Sequence, residues 1–386
     1  MPALPEVPEE RGALGETMTE MPDGRITVGL LFGGRSAEHD VSRSSAANVF
    51  RSLDPERYTV IPIGISRAGR WLLSDSDVGV DALLIADDAP EVALVPGGHG
   101  RLVRCDFGFE RSGVSQQLDV VFPVLHGPNG EDGTVHGALQ LAGIPYVGSG
   151  ILASSVAMDK DVSKRLMLCA GLPIVPFTVL MASSRIDYAA AVSALGATDL
   201  FVKPANMGSS VGISRARSAE EFTASCDLAF RYDSKVLIEQ CVNNAREIEC
   251  SILEDVDGNI HASRLGEIAP ASGHGFYSYT AKYIDAAGAE LRIPANLGLT
   301  QETRIRELAV TAFRTLCCEG LARVDFFLEP DSGRLFVSEV NTLPGFTPIS
   351  MFPKLWEASG ISQPQLMDKL IAHAFARHHR RETMIR

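Results

Sequence analysis

The chain has 386 residues, of which 45% are hydrophobic and 22% are charged, so it is long enough for two or three domains with sizeable cores. Its formal net charge of -13 at pH 7 argues against general nucleic-acid binding, which requires a basic surface. No apolar run reaches the length that spans a bilayer, so a membrane-embedded protein is excluded and a soluble globular protein is expected.

The first 25 residues are rich in Pro and Glu and contain no apolar core. They match neither a signal peptide nor a membrane span, and we expect them to be disordered. The seven cysteines show no CxxC spacing. We therefore interpret them as reduced, mostly buried residues of a cytoplasmic protein.

An alternation of apolar strands and helical segments begins at Ile26. The strand ITVGLLF is followed by a Gly-Gly turn and by helical spacing over residues 41–52, and the buried strands YTVIPIGI and LDVVFPVLHG come later. This pattern predicts a parallel α/β domain over residues 26–150, with its ligand edge at the carboxyl ends of the strands. The turn lacks the GxGxxG pattern, so its support for dinucleotide binding is weak.

Two polar residues follow strand ends in this domain. Glu38 lies near the start of a helix, where its carboxylate could meet a ligand ammonium or stabilise the helix dipole. Considered alone, the dipole role is the commoner one. His126 ends the strand LDVVFPVLHG. An isolated histidine there is more often structural, so His126 is a secondary candidate for substrate binding.

A second unit, predicted over residues 151–243, carries lysines and a glycine-rich loop. A helix is expected over 153–171 with Lys160 inside it, and LFVKPANMGSSVGISRA predicts a strand, a loop and a returning strand. Lys203 ends the first strand, and the Gly/Ser-rich loop leaves backbone N–H groups free to approach a phosphate. Such loops are often only mobile turns, but the preceding lysine and the internal serines favour phosphate binding.

The third unit, predicted over residues 244–386, follows the strand KVLIEQCV, whose Glu239 could accept from a ribose or an adenine. Its first strand, REIECSIL, carries Glu247. The segment 267–292 shows neither helical nor strand periodicity, and its three tyrosines and Lys282 favour a functional lid over disorder. An amphipathic helix is predicted over residues 300–319.

The stretch LARVDFFLEPDSGRLFVSEVNTLPG, residues 321–345, follows that helix. Its apolar-rich runs over 321–328 and 335–340 flank the turn-forming EPDSG, and this pattern predicts a β-hairpin. Side chains two positions apart on a strand share a face. A turn centred on Ser332 therefore fixes which polar residues lie opposite each other.

In this hairpin Asp325 lies opposite Glu339, and Arg323 lies opposite Asn341. Two carboxylates and an amide oxygen, all hard donors, then converge beside a cation, and this is typical of a magnesium site that phosphate oxygens complete. A structural ion-pair cluster of Arg323 with the two carboxylates, on a solvated sheet face, is the competing interpretation. The hairpin alone does not decide between the two.

The motifs together resemble those of D-alanine–D-alanine ligases, members of the ATP-grasp superfamily. The resemblance runs from about residue 26 to the last helix and rests on motifs in the family's order: GGRSAEHDVS, HGPNGEDG, MDK, VKPANMGSSVG, VLIEQ, REIE, FYSYTAKY, RVDFF and EVNTLPGFTPISM. It implies an α/β (α+β) ATP-grasp fold with an N-terminal Rossmann-like parallel α/β domain. ATP would lie between a central and a C-terminal sheet.

The resemblance also implies roles for individual residues. Catalytic or substrate-binding roles match Glu38, His126, Ser209, Tyr283, Arg323, Gly345, Ser350 and Met351. ATP-binding roles match Lys160, Lys203, Ser209, Ser210, Glu239, Gln240, Val242, Glu247 and Lys282. The ligands of two Mg²⁺ or Mn²⁺ ions match Asp325, Glu339 and Asn341. A monovalent cation is a further candidate cofactor.

The implied reaction joins two D-alanine molecules through D-alanyl phosphate and yields ADP, phosphate and D-Ala-D-Ala for peptidoglycan precursors. Lysines and metal ions offset the repulsion between anions during phosphorylation. Arg323 and the N–H of Gly345 stabilise the oxyanion that forms when the second amine attacks. A homodimer formed through the N-terminal domain is implied as well.

Tyr283 bears on specificity, and two other positions depart from the family pattern. Tyr283 is present, whereas relatives that use D-lactate carry a histidine near this point, so an amino-acid acceptor is favoured. Ser278 replaces a common aspartate and Gln240 a frequent lysine, which leaves a loop-closing contact and the adenine contact open. The competing hypotheses are a ligase that joins D-alanine to D-lactate or D-serine, and a nucleotide-binding regulator without turnover. The metal ligands, the arginine and the lid disfavour the regulator.

Overall fold

The computed structural model describes residues 24–74, 82–105, 114–183, 186–270 and 289–384. Four strands form an N-terminal sheet in the order β3-β2-β1-β7: β1 (Ile26–Gly33), β2 (Tyr58–Ile65), β3 (Trp71–Leu73) and β7 (Val120–Val124). As predicted, β1 runs parallel to both β2 and β7. Helices α1 (His39–Ser52) and α2 (Thr134–Ala142) follow β1 and β7, so the segments that carry Glu38 and His126 leave the same edge of the sheet.

A small antiparallel sheet lies beside the N-terminal sheet. It has the order β4-β5-β6 and consists of β4 (Val92–Leu94), β5 (Arg101–Arg104) and β6 (Val114–Gln117). A single bridge between Leu72 and Glu91 connects the segment before β4 to β3. None of these strands contributes to the site described below.

The central sheet is antiparallel and has the order β10-β9-β11-β8. Its strands are β8 (Phe177–Met181), β9 (Leu200–Pro204), β10 (Ser214–Ala216) and β11 (Lys235–Gln240). Helices α5 (Tyr188–Leu195) and α6 (Ala219–Ala229) pack on it. The strand, glycine-rich loop and returning strand predicted from VKPANMGSSVG are therefore confirmed as β9 and β10 with the loop between them.

The C-terminal sheet has five antiparallel strands in the order β14-β13-β12-β15-β16. They are β12 (Arg246–Glu254), β13 (Ile260–Pro270), β14 (Ala289–Arg292), β15 (Leu321–Leu328) and β16 (Leu335–Asn341). Helix α7 (Leu299–Thr315) packs on this sheet, and α8 (Met351–Ala358) and α9 (Gln363–Glu382) complete the chain.

The single helix predicted over residues 153–171 is wrong. Two helices occur instead, α3 (Ile151–Met158) and α4 (Lys160–Cys169), and Asp159 separates them with extended backbone. Asp159 Oδ1 accepts from the N–H groups of Asp161 and Val162, both over 3.1 Å. This side-chain cap starts a new helix at Lys160.

Two further boundaries differ from the prediction. The helix expected to reach residue 319 ends at Thr315, because the chain turns through the positive φ of Cys317 (56°). The segment expected to be irregular over 267–292 begins and ends as paired strand, with Glu267 opposite Arg292. Residues 265–268 are all buried, so no apolar–polar alternation marks this part of β13. Residues 271–288 lie outside the described part.

The core joins the N-terminal sheet to the C-terminal helices. Val28, Leu30 and Phe32 of β1 belong to one buried cluster with Phe352 of α8 and Leu370 of α9. Because of this shared core, the strand ends of the N-terminal sheet lie against the loops of the C-terminal unit. The site is positioned where they meet. Among the described residues, no helix has the length and apolar content needed to cross a membrane.

The cysteine prediction is only partly right. All seven cysteines are free, but Cys105, Cys169 and Cys317 are exposed. These three lie after a strand end, in the last turn of α4 and after the end of α7, where little packs over them. The expectation of mostly buried thiols is therefore wrong.

Candidate active site

A cavity of about 940 Å³ opens where the three large sheets meet. It collects ten of the residues that the sequence singled out, and they come from all parts of the chain. The ten are Glu38, His126, Lys160, Ser209, Arg323, Glu339, Asn341, Gly345, Ser350 and Met351.

The predicted hairpin supplies one wall, and its two predicted pairs are confirmed. Asp325 pairs with Glu339, and Arg323 pairs with Asn341. Next to this point Phe326 pairs with Val337, so Ser338 is an extra residue in β16. Such a bulge shifts the pairing by one residue and decides which side chains share a face. It places Glu339 on the same face as Asp325.

The guanidinium of Arg323 is the centre of an ion-pair network in this wall. Its Nε and Nη2 each donate to Asp325 over 2.7 Å, and Nε also lies 2.9 Å from Glu249 Oε2. Burial alone would lower the pKa of Arg323, but the carboxylates of Asp325, Glu249 and Glu339 raise it well above the ordinary value. The competing ion-pair interpretation thus describes a real contact. However, the arginine side chain is only 18% exposed and lines the cavity.

The three predicted metal ligands lie next to one another on the hairpin, but not all of them line the cavity. Asn341 Nδ2 donates to Asp325 Oδ2 over 3.0 Å. Glu339 and Asn341 line the cavity, whereas Asp325 does not. Within the described ranges, no group of three His, Cys, Asp or Glu side chains could hold a metal ion. Two carboxylates and an amide suit a hard cation such as Mg²⁺ when further oxygens come from a bound phosphate.

A hydrogen bond across the cavity joins the glycine-rich loop to the segment after β1. Ser209 Oγ donates to Glu38 Oε1. Glu38 stands at the N-cap of α1, yet its side chain makes no capping hydrogen bond and is 7% exposed. The interpretation of Glu38 as a ligand-facing carboxylate is therefore favoured over the helix-dipole role. Ser209 and Ser210 have φ of 51° and 60°, the left-handed region that turns the loop back toward β10.

A second carboxylate stands beside Glu38, and sequence reasoning missed it. Glu131 lines the cavity, and its Oε2 accepts from the N–H of Gly127 over 2.7 Å. A Cβ at Gly127 would lie 2.8 Å from Glu38 Oε2, so the two carboxylates flank this glycine. Loss of hydration, followed by repulsion from Glu38, raises the pKa of Glu131 to about 8.

His126 is buried, and its ring joins two segments of the site. Nδ1 donates to the carbonyl of Leu343 over 3.1 Å, and Nε2 lies 3.3 Å from Ser45 Oγ. Ser45 Oγ also accepts from the N–H of Phe346 over 3.2 Å. Burial lowers the pKa of His126, so the ring is neutral and carries its proton on Nδ1. These contacts position residues 343–346 against the N-terminal sheet.

The loop after β16 packs tightly at Gly345. A Cβ there would lie 2.8 Å from Ser350 Oγ, so a larger residue would displace the hydroxyl. Ser350 is the N-cap of α8, and its Oγ accepts from the N–H of Thr347 over 2.9 Å. Met351 has its side chain in the core at 3% exposure, packed with Leu355. Met351 can therefore offer a ligand its backbone N–H at the start of the helix.

Two lysines bind the buried carboxylate of Glu239. Lys203 Nζ donates to Oε2, and Lys164 Nζ lies 2.8 Å from Oε1. Burial alone would raise the pKa of Glu239, but the two lysines lower it to about 2. Lys160, one turn before Lys164, donates to the carbonyl of Met207 over 2.5 Å, and burial lowers its pKa.

Two family models match most of the chain. The model of the D-ala D-ala ligase N-terminus matches residues 27–149, and that of the D-ala D-ala ligase C-terminus matches residues 166–372. The chain is 66% identical over 364 residues to D-alanine–D-alanine ligase B of Bradyrhizobium diazoefficiens. The aligned residues cover 93% of this chain and 96% of that relative. The chain belongs to the D-alanine–D-alanine ligase family.

A further relative and two solved structures agree. A D-alanine–D-alanine ligase of Methylobacterium is 57% identical over 92% of this chain and 93% of its own length. The D-alanine–D-alanine ligase from Coxiella burnetii superposes with a TM-score of 0.79 at 32% identity, over 93% of this chain and 96% of that one. The VanG D-Ala:D-Ser ligase from Enterococcus faecalis superposes with a TM-score of 0.75 at 34% identity. The superposition covers 91% of this chain and 99% of that one.

These similarities decide the fold class and the enzyme class. The predicted mixed α/β, ATP-grasp fold is confirmed, with a largely parallel N-terminal sheet. As a member of the D-alanine–D-alanine ligase family, the chain is an ATP-dependent ligase of peptidoglycan synthesis. The family uses ATP and typically Mg²⁺. The two carboxylates and the amide at the hairpin of this chain are donors of the type that this ion prefers.

Some positions that match the D-alanine–D-alanine ligase motifs do not line the cavity. The seven outside its lining are Lys203, Ser210, Glu239, Gln240, Val242, Glu247 and Asp325. Glu247 lies on β12 near enough to help raise the pKa of Lys203, together with Glu239. Ser278, Lys282 and Tyr283 lie outside the described residues.

Three charged residues of the site escaped sequence reasoning: Glu131, Lys164 and Glu249. Lys164 follows Lys160 by four positions, which is one helical turn, so helical spacing could have placed it on the same face. Glu249 lies two positions after Glu247 and opposite Asp325 on the neighbouring strand. No local pattern distinguishes Glu131 from a surface carboxylate.

Proposed function

We propose that this D-alanine–D-alanine ligase condenses two D-alanine molecules, with ATP converted to ADP and phosphate through D-alanyl phosphate. The observation that carries the proposal is the convergence of Glu38, Lys160, Arg323, Glu339 and Gly345 on one cavity of about 940 Å³. A carboxylate, two cations, a candidate metal ligand and a glycine N–H are the groups that this chemistry requires.

In the first step a carboxylate oxygen of D-alanine attacks the γ-phosphorus of ATP, and the bond from that phosphorus to ADP breaks. Two anions must approach each other, so cationic groups have to hold the phosphates in place. Lys160 and Lys203 hold the α- and β-phosphates. The loop around Ser209 and Ser210 covers the γ-phosphate with backbone N–H groups. The low exposure of both lysines strengthens these contacts, because water screens them less.

The same step calls for a metal site at the hairpin. Asp325, Glu339 and Asn341 would hold two Mg²⁺ or Mn²⁺ ions. When bound, the ions would supply positive charge that offsets the negative charge of the phosphates. Both oxygens of Asp325 accept from Arg323, so a metal ion would share this carboxylate with the guanidinium. A monovalent cation is a further candidate ligand of the site.

In the second step the amine of the second D-alanine attacks the acyl carbon, the C–N bond forms and phosphate leaves. Glu38 pairs with the ammonium of the first D-alanine. Arg323 and the N–H of Gly345 stabilise the oxyanion of the tetrahedral intermediate. His126 contributes to first-substrate binding through its position beside Glu38 in the same wall and through its bond to the loop of Gly345.

The carboxylate of the second D-alanine binds where α8 begins. The hydroxyl of Ser350 and the backbone N–H of Met351 hold it, since the N-terminus of a helix favours anions. The buried side chain of Met351 supports a role for the backbone only.

Further groups contact the nucleotide and close the site. Adenine and ribose contacts come from Glu239, Gln240, Val242 and Glu247. Lys282 reaches the γ-phosphate, and Tyr283 extends the hydrogen-bonded network of Glu38 and Ser209. The carboxylate of Glu239 is buried and already accepts from two lysines.

We also propose the setting of the reaction. The chain works in the cytoplasm, as a homodimer through its N-terminal domain. Its domains cover residues 26–150, 151–243 and 244–386.

A coupled assay of ADP release with D-alanine, L-alanine and D-lactate tests the function. We expect release with D-alanine, almost none with L-alanine, and loss by two orders of magnitude or more in Arg323→Ala and Glu339→Ala, since misplaced catalytic groups cost about that much. The matched controls are Arg334→Ala and Glu329→Ala in the exposed turn of the same hairpin, where an ion pair is worth about 0–1 kcal/mol. Equal activity in all four variants would refute the assigned site.

A related ligase function would differ from the proposed one in the acceptor substrate. Similarity to a D-Ala:D-Ser ligase at 34% identity makes D-serine the competitor. Product analysis with D-alanine, D-serine and D-lactate in competition decides it. We expect D-Ala-D-Ala as the main product. A mixed dipeptide or a depsipeptide in excess would replace that assignment without affecting the ligase chemistry.

A further inference from the structure

Three buried charges form a row from α4 to the central sheet. Lys164 and Glu239 have side chains that are 3% exposed, and Lys203 is 14% exposed. Leu237 is the strand partner of Lys203, and Glu239 follows it by two positions, so Lys203 and Glu239 share a face of the sheet. Glu239 therefore accepts from one lysine of its own sheet and from one of the helix above it.

The row carries more positive than negative charge. One carboxylate faces two ammonium groups, so the three together bear a net charge of +1. Lys203 is the most exposed of the three, which makes it the point where an anion can reach the row. Lys160 adds a further positive charge nearby, while Glu247 and Glu339 oppose it.

We propose that Lys164 is a positioning residue for nucleotide binding: by neutralising Glu239 it leaves the charge of Lys203 available to a phosphate of ATP. The inference rests on the proposed function, in which Lys203 holds a phosphate. Without Lys164, Lys203 and Glu239 would form a closed neutral pair with little attraction for an anion. Lys164 itself, buried beneath Glu239, does not touch the nucleotide.

A purely structural role for Lys164 makes different predictions. In that case removal of the lysine would leave Glu239 buried with less compensation and would loosen the whole central sheet. Adenosine, which lacks phosphates, would then lose as much affinity as ATP loses. In the proposed role only ligands with phosphates are affected, because the lost interaction is with their charge.

The first test is Lys164→Met in the full chain, with calorimetric titration of Mg-ATP, ADP and adenosine. We expect the dissociation constants of ATP and ADP to rise about tenfold, the size expected for one charge about 12 Å from an anion at an effective dielectric constant of about 20. Adenosine should bind within about twofold of wild type. Unchanged ATP binding, or equal weakening of adenosine and ATP, would overturn the proposal.

The second test is the double variant Lys164→Met with Glu239→Gln. It removes the positioning lysine together with the carboxylate that it neutralises, so Lys203 again carries a net charge of +1. Glutamine keeps an acceptor oxygen at the same place. We expect the ratio of the ATP and adenosine dissociation constants to return to within about threefold of its wild-type value, because loss of an adenine contact at Glu239 would weaken both ligands alike. A double variant whose ratio stays at that of Lys164→Met would overturn the proposal, also if the single variant is poorly folded.

Lys369→Met is the matched control, because it removes one exposed lysine from α9 and should change none of the three constants. The outcome is separable from that of the proposed function. Failure of the wild-type chain to release ADP with D-alanine would refute the function. Normal wild-type turnover together with unaltered ATP affinity in Lys164→Met would refute only the role of Lys164.

Discussion

The hydroxyl of Ser209 donates a hydrogen bond to the carboxylate of Glu38, across 171 positions of sequence. One residue lies in the glycine-rich loop after β9 and the other lies between β1 and α1. A Cβ at Gly208 would lie 3.1 Å from Glu38 Oε2, so the loop backbone approaches this carboxylate closely. The bond thus connects the loop assigned to ATP with the carboxylate assigned to the first D-alanine.

Ser209→Ala removes that connection. A hydrogen bond to a charged group is worth about 1.5–3 kcal/mol, so we expect the KM for D-alanine at the first site to rise roughly tenfold or more. Steady-state kinetics with varied D-alanine measure this. Ser332→Ala, which removes an exposed hydroxyl that bonds to Glu329 in the hairpin turn, is the control and should behave as wild type. Identical kinetics in the two variants would contradict the role of Ser209.

Gly345→Ala should disturb the oxyanion site. The added Cβ would lie 2.8 Å from Ser350 Oγ, so either the hydroxyl or the N–H of residue 345 must move. A displacement of about 1 Å at a catalytic group costs about a hundredfold in rate, and we expect kcat to fall by that order. Gly137→Ala is the control, because a Cβ at Gly137 meets nothing within 4 Å. A kcat for Gly345→Ala close to that of the control would count against the assignment.

His126→Ala tests whether the buried ring positions the Leu343–Phe346 loop. The variant leaves the carbonyl of Leu343 and the hydroxyl of Ser45 without their partner. We expect a loss of about 1–3 kcal/mol in the free energy of unfolding and a fall in kcat larger than the change in the KM for ATP. Chemical denaturation and kinetics measure the two effects. A destabilised variant with full kcat would show that His126 supports the fold alone.

Glu131→Gln tests the raised pKa of this carboxyl. Because its pKa is about 8 in the folded protein and about 4.3 in an unfolded chain, the folded state holds a proton that the unfolded state has lost between these values. The stability of the ligand-free protein must therefore fall as pH rises from about 5 to 8. The variant lacks this contribution, while its amide oxygen can still accept from the N–H of Gly127.

Thermal unfolding midpoints at pH 5.5 and pH 8.0 measure the effect. We expect the fall in stability between these pH values to be smaller in Glu131→Gln than in wild type, by about 3 kcal/mol. Asp132→Asn, which removes one charge from the adjacent residue, should keep the wild-type dependence. Parallel pH profiles for wild type and Glu131→Gln would contradict the raised pKa.

Local pattern was sufficient for several elements of the site. The two-residue period of a strand, together with the centre of a turn, predicted that Asp325 lies opposite Glu339 and Arg323 opposite Asn341, and both pairs are confirmed. The glycine-rich loop between β9 and β10 was predictable for the same kind of reason. The glycines and serines of the loop indicate the turn, although its bond to Glu38 lies outside any local pattern.

Other features depended on contacts that no local pattern contains. The break between α3 and α4 arises because Asp159 caps the second helix, although the apolar spacing continues through it. The bulge at Ser338 leaves no signal in the alternation of β16. The strand at the start of the expected lid could not be predicted, because its residues are buried on both faces and show no apolar–polar alternation.

The sequence by itself determined the family, the alternation of strands and helices, and the residue types that handle phosphate and metal, because motifs and periodicity are local properties. Only the tertiary structure decided which charges meet: Lys164 with Glu239, Arg323 with Glu249, and Glu131 with Glu38. The reason is that electrostatic interactions depend on distance in space and on burial. Both are set by the packing of the three sheets and not by the order of the residues.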